Sequence, residues 1–100
     1  MSTVDIATTD TITTIICSGA LDLAIVPEFR TAIDRAVGLD RPLHIDLRDV
    51  PSIDDCAVGI MLGAADRVRT AGHDFSVSAN DGVATRLRRL GVDNLLDLRR

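Results

Sequence analysis

Two hydrophobic periods alternate along this chain, and their order constrains the fold more than any other feature of the sequence. In Leu43–Leu47, apolar residues alternate with polar ones, as in a strand with one face toward a core. In Ala24–Val37, apolar residues recur at helical spacing. The predicted elements are, in order, strands at Val4–Thr8 and Thr11–Cys17, a helix at Ala24–Val37, a strand from Leu43 to near Val50, a helix at Asp55–Ala71, a strand at Phe75–Ala79 and a helix at Asp81–Leu90.

The order ββαβαβα predicts an α/β fold, with a small mixed sheet and helices packed against it. The chain has 100 residues, a length typical of one domain, so we expect a single domain over residues 1–100. The tail Val92–Arg100 is predicted to form a last short helical piece, because Leu95, Leu96 and Leu98 need something to cover them.

Composition argues against several functional classes. No apolar run approaches the roughly 18 residues that span a bilayer, and Met1–Asp10 lacks the character of a signal peptide, so we expect a cytoplasmic protein with no membrane partner. The net charge of −4 argues against nucleic acid as a partner. No Cys/His cluster has zinc-ligand spacing, and no nucleophile elbow or metalloprotease helix occurs, so neither a cofactor nor an enzymatic activity is predicted.

Two short motifs carry a family resemblance. One is Gly-Ala-Leu-Asp at Gly19–Asp22, a turn before the first helix. The other is Asp46–Gly63, a strand and loop followed by a helix that opens with an acidic pair. Together they resemble the STAS domain of bacterial anti-sigma factor antagonists. The resemblance implies transcription regulation by partner switching: the antagonist binds an anti-sigma factor that is also a serine kinase, or a related regulatory protein, and phosphorylation of a serine breaks the complex.

The family motif D-S-S/T-G-L/V-G aligns with residues 54–59 of this chain. The alignment puts Asp54 on the motif aspartate and Asp55 on the phosphoacceptor, while Cys56 replaces the second hydroxyl residue. Phosphorylation at the usual position is therefore not expected. Asp55 is either a phosphomimic or, with Asp54, a helix cap without regulatory meaning. Ser52 is the nearest alternative phosphosite, although a loop or capping role suits it better.

One face of the second helix is unusual for a helix surface in water. Val58, Met61, Leu62, Ala65 and Val68 form the predicted core face, and the opposite face carries what we name the glycine stripe, which comprises Cys56, Gly59, Ile60, Gly63 and Arg67. Two interior glycines beside an exposed isoleucine predict a flat surface for a protein partner. With Asp22, Asp54 and Asp55, the stripe is the predicted partner-binding site. Alternatively, the glycines accommodate a loop or the tail of this same chain.

Other hypotheses remain open at this stage. Cys56 is a candidate redox residue, through a bridge to Cys17, since a helix N-terminus lowers a thiol pKa while its acidic neighbours raise it. Arg86 and its neighbours Arg88 and Arg89 are expected on a solvated face, with contact to an acidic partner as the alternative. Two alternative functions lie outside the antagonist class. One is a STAS-type ligand or nucleotide sensor, and the other is a structural scaffold subunit of a larger signalling complex. The oligomeric state is not predicted.

Overall fold

A computed structural model describes residues 1–99. The strands and helices predicted between Val4 and Leu90 are all present, with bounds within two residues of those predicted. The observed elements are β1 (Thr3–Thr8), β2 (Thr13–Ser18), α1 (Val26–Gly38), β3 (Leu43–Asp49), α2 (Asp55–Thr70), β4 (Phe75–Ala79), α3 (Asp81–Arg89) and β5 (Leu98–Arg99). None of the helices in this range is long and apolar enough to cross a membrane.

The strands form one mixed sheet in the order β1-β2-β3-β4-β5. Only β1 and β2 are antiparallel, as their short connection requires, and the remaining neighbours are parallel, as the intervening helices require. Ile15, Ile45 and Val77 lie side by side across the three central strands and are completely buried. The helices contribute Phe29, Met61 and other apolar side chains to the same core.

The prediction of a helical piece at Val92–Arg100 is wrong. After α3 the chain makes one turn, closed by a 3.0 Å bond from the Leu96 N–H to the Val92 carbonyl, and then enters β5. Leu98 pairs in parallel with Val77 of β4, and Leu96 is completely buried. The tail thus pairs with the otherwise free edge of β4. Hydrophobic periodicity cannot reveal such a pairing in so short a segment. Arg100 lies outside the described residues.

The opposite face of the sheet carries a polar cluster around His44. Nδ1 of His44 lies 2.7 Å from Oγ of Ser76, and Nε2 lies 2.9 Å from Oγ of Ser78. The Ser78 hydroxyl also donates to Asp46 at 3.4 Å, and Asp46 pairs with Arg48 at 2.9 Å. Both serines are buried, so the imidazole supplies the partner of the Ser76 hydroxyl and a second, closer partner of the Ser78 hydroxyl.

Protonation of His44 is expected to destabilise the fold in mild acid. Burial, aided by Arg99 and Arg48, lowers the pKa of His44 below 6.5, and Asp46 only partly opposes this. A lowered pKa means that the folded state binds this proton less readily, so stability falls as pH drops below about 6.5. Urea unfolding should show that His44→Gln reduces this fall, whereas the control His73→Gln retains it. Equal slopes for both variants would contradict the assignment. The hydrogen bond from the Arg48 side chain lowers the pKa of Asp46 below 3.8, so the stability that ionised Asp46 contributes is lost only in stronger acid.

Candidate functional site

The two family-like motifs lie side by side because the backbone joins them at Leu21. Its N–H donates to the Ser52 carbonyl at 2.9 Å, and its carbonyl accepts from the Asp54 N–H at 2.8 Å. Leu21 and Ile53 form an isolated parallel bridge, and both side chains are buried. The turn before α1 is therefore fixed against the loop that leads into α2.

Asp54 caps the N-terminus of α2. It has an extended backbone, and its Oδ1 accepts a 2.8 Å bond from the Cys56 N–H, which has no carbonyl partner inside the helix. Asp55 is the first residue of the helix, and its side chain is not part of the cap. Both aspartates were possible caps from the sequence, and only Asp54 caps the helix.

Asp55 instead forms an ion pair with Arg86 of α3, with 2.5 Å between Oδ1 and Nη2. The Asp55 side chain is 75% exposed and that of Arg86 47%, so the pair contributes little to stability. Arg86, Arg88 and Arg89 of α3 are exposed, as expected of a solvated face, and Arg86 in addition contacts an acidic residue of its own chain. The pair lowers the net negative charge that the tip of α2 presents to solvent.

The glycine stripe lines a groove between α2 and α1. The groove has a volume of about 340 Å³, and all five residues of the stripe contribute to it. Arg30, Ile33 and Asp34 of α1 line the other wall, and an ion pair of 2.9 Å joins Arg67 to Asp34 across one end. Sequence analysis missed this wall, because the α1 residues follow an ordinary amphipathic pattern.

The two glycines of the stripe leave open space. Apart from the adjacent residues and the nearby backbone of α2 itself, a Cβ atom built on Gly59 or Gly63 meets no atom of the described chain within 4 Å. Neither position therefore accommodates a loop or tail within residues 1–99, which was the alternative explanation. Ile60 was expected to be exposed, but it is half-buried and packs against the core. The stripe thus exposes less apolar surface than the sequence predicts.

The remaining predicted site residues flank the groove or lie outside it. Asp22 is exposed and accepts a 3.0 Å bond from the Ala24 N–H, so its carboxylate organises the turn before α1. Ser52 is an exposed loop residue whose carbonyl bonds to Leu21. Among residues 1–99, no group of three or more His, Cys, Asp or Glu side chains is placed to hold a metal ion.

Both cysteines are free thiols with raised pKa values. A hydrogen bond to Asp54, together with the charge of that carboxylate, raises the pKa of the exposed Cys56 thiol. Burial raises the pKa of Cys17 to about 12. The acidic neighbours therefore outweigh the helix N-terminus at Cys56. Because the thiolate is the reactive form, these protonation states do not favour the redox hypothesis.

A model of the STAS domain family matches residues 3–100. The chain belongs to the STAS domain family. A comparison with curated proteins yields no match.

Solved structures described as anti-sigma factor antagonists share the fold. An anti-sigma factor antagonist from Mycobacterium paratuberculosis superposes with a TM-score of 0.88 at 22% identity, covering 98% of this chain and 85% of that one. The anti-sigma factor antagonist SpoIIAA, in its unphosphorylated form, gives 0.81 at 16% identity, covering 98% and 89%. A putative anti-sigma factor antagonist from Thermotoga maritima gives 0.79 at 15% identity, covering 95% and 84%. At these identities the likeness concerns the fold.

Loss of the Asp54 cap is expected to weaken the start of α2. Asp54→Ala should lower the free energy of unfolding by about 1 kcal/mol, because the Cys56 N–H then lacks its acceptor. Asp54→Asn keeps a side-chain oxygen and serves as the control, with a much smaller loss. Denaturant unfolding measures both. Equal destabilisation by the two substitutions would show that the charge of Asp54, and not the cap, matters.

Proposed function

We propose that this STAS domain is a non-catalytic module that binds an anti-sigma factor and regulates transcription by partner switching in the bacterial cytoplasm. The observation that carries the proposal is the open groove beside the acidic tip of α2, lined by two glycines with nothing above them. A helix surface free of side chains at Gly59 and Gly63 allows another backbone to approach closely. Family membership supports the same role.

The proposal includes binding that is not switched by phosphorylation at the usual position. Asp55 stands where the family motif has its phosphoacceptor, and a carboxylate offers no hydroxyl to a serine kinase. Asp55 is also an incomplete phosphomimic, since a phosphoserine carries about −1.5 to −2 charges against one for aspartate. Its pairing with Arg86 reduces that charge further. The tip then presents a state closer to the unmodified form of the family.

The groove is the first part of the proposal to test. Gly63→Glu should abolish capture of the anti-sigma factor, because a charged side chain fills the open space, while the thermal melt stays nearly unchanged. Thr70→Glu adds the same charge at the far, exposed end of α2 and is the matched control. Affinity capture from the native cell, followed by quantitative mass spectrometry, compares both baits with the unmodified chain. Equal recovery of an anti-sigma factor by the Gly63→Glu bait would exclude the groove.

The alignment of Asp55 with the phosphoacceptor is tested with the captured kinase. The Asp55→Ser variant should become phosphorylated. Two controls separate the new hydroxyl at position 55 from that of Ser52: the unmodified chain, which has only Ser52, and a Ser52→Ala, Asp55→Ser double variant, which has only the new serine. We expect the kinase to transfer no phosphoryl group to the unmodified chain and to phosphorylate the double variant fully. The increase in protein mass measures the phosphorylation. Transfer that depends on Ser52 would identify that residue as the acceptor instead.

A further inference from the structure

A second and larger groove lies between β1 and α1, with a volume of about 980 Å³. Its floor includes Val4 and Ile6, which are half-buried, and Leu39 at one end is 46% exposed. The proposed function uses the other side of α1. The groove combines apolar and charged side chains beside an edge strand, and the backbone of β1 indicates what can cover them.

The outer edge of β1 presents an ordered row of backbone groups. Thr13 donates its N–H to the Pro42 carbonyl at 2.9 Å, away from β1, so Thr8 and Thr13 form a pair without hydrogen bonds between them. Such pairs alternate with bonded ones along antiparallel strands. Val4, Ile6 and Thr8 therefore direct their N–H and carbonyl groups outward, toward a missing neighbour.

A second copy of β1 fits this row in antiparallel orientation. With Ile6 opposite the partner's Ile6, Val4 lies opposite the partner's Thr8, and all of the outward groups of these residues find partners. Asp5 then faces the partner's Ala7. Shifting the register by one bonded pair in one direction would set Asp5 against the partner's Asp5, which is repulsive. The opposite shift would place Val4 against position 10, beyond the end of β1 at Thr8, and so would lose backbone bonds. The strand thus favours one self-complementary register.

The helices above this pairing would come into ordinary contact. Since α1 contacts both β1 and β2, we place its axis about half a strand spacing inside β1. A two-fold axis would lie about half a spacing outside β1, and the spacing is about 4.8 Å. The two copies of α1 would then be about 10 Å apart, close to the usual distance between packed helices.

Charges on α1 complement each other in the same arrangement. Glu28 and Arg35 both line the groove and are two helical turns apart, so they lie on one face. Neither has an ion-pair partner within residues 1–99. Antiparallel packing about a point near Thr31 places Glu28 opposite the partner's Arg35, and symmetry repeats the pair. Thr31 and Ile6 both line the groove, as a single axis passing between the two helices and the two strands requires.

We propose that two copies of this chain associate about a two-fold axis through β1 and α1, forming a continuous sheet of ten strands from two five-stranded ones. Sedimentation equilibrium of the full chain should give a species of twice 10.7 kDa as concentration rises. At about 1 mM protein, all but the weakest specific dimers are associated. A monomer mass at every concentration up to that value would therefore overturn the proposal.

The ion pairs provide a test by exchange. Glu28→Arg and Arg35→Glu should each raise the dissociation constant by about tenfold or more, because each sets like charges opposite one another. Mixing the two variants should restore association, since both contacts in the mixed dimer are then attractive. Asp66→Arg and Arg88→Glu make the same charge changes on α2 and α3 and should leave association unchanged. Failure of the mixture to associate, or equal weakening by the controls, would overturn the interface.

The strand pairing has a separate test. Thr8→Pro removes an outward N–H, a position at which edge strands tolerate proline, and should weaken the dimer while the monomer still melts cooperatively. Dimerisation that is unaffected by this substitution would exclude β1. If Thr8→Pro fails to fold, the mixture of charge variants decides. Capture of the anti-sigma factor by the Glu28→Arg variant reports on the proposed function independently.

Discussion

The backbone bonds at Leu21 are the constraint on which the site depends. They continue the parallel pairing of β2 and β3 beyond the ends of both strands, and so fix the start of α2 at the carboxyl edge of the sheet. Leu21 is completely buried, so leaving these groups unpaired would be costly. The acidic tip and the groove beside it are consequently held by main-chain geometry, which tolerates changes of side chain.

Sequence alone predicted the strands and helices well, because each carries a clear hydrophobic period and a stop such as Gly72 or Gly91. It failed at β5, where two residues are too few to show any period. It found one wall of the groove from the glycines of α2 but not the α1 wall. Contacts between helices distant in sequence, such as Arg67 with Asp34 or Arg86 with Asp55, depend on packing that no local pattern records.

Adjacent aspartates at the start of α2 have separate roles. Asp54 satisfies the backbone and raises the pKa of Cys56, while Asp55 leaves the cap and pairs with α3. The distinction matters for regulation, since a capping carboxylate is fixed by the helix, whereas an exposed ion pair opens at little cost. An approaching partner with its own basic group can therefore compete with Arg86 for Asp55.

Helix α1 separates the two grooves, and Asp34 lines both of them. In the proposed two-fold assembly the glycine-lined grooves would stay open, one on each copy. With the proposed function, such a particle would be bivalent: it would hold two anti-sigma factors, or both arms of a dimeric one. For a dimeric partner, the second contact forms at the effective concentration set by the first, so modest affinity at each groove yields a long-lived complex.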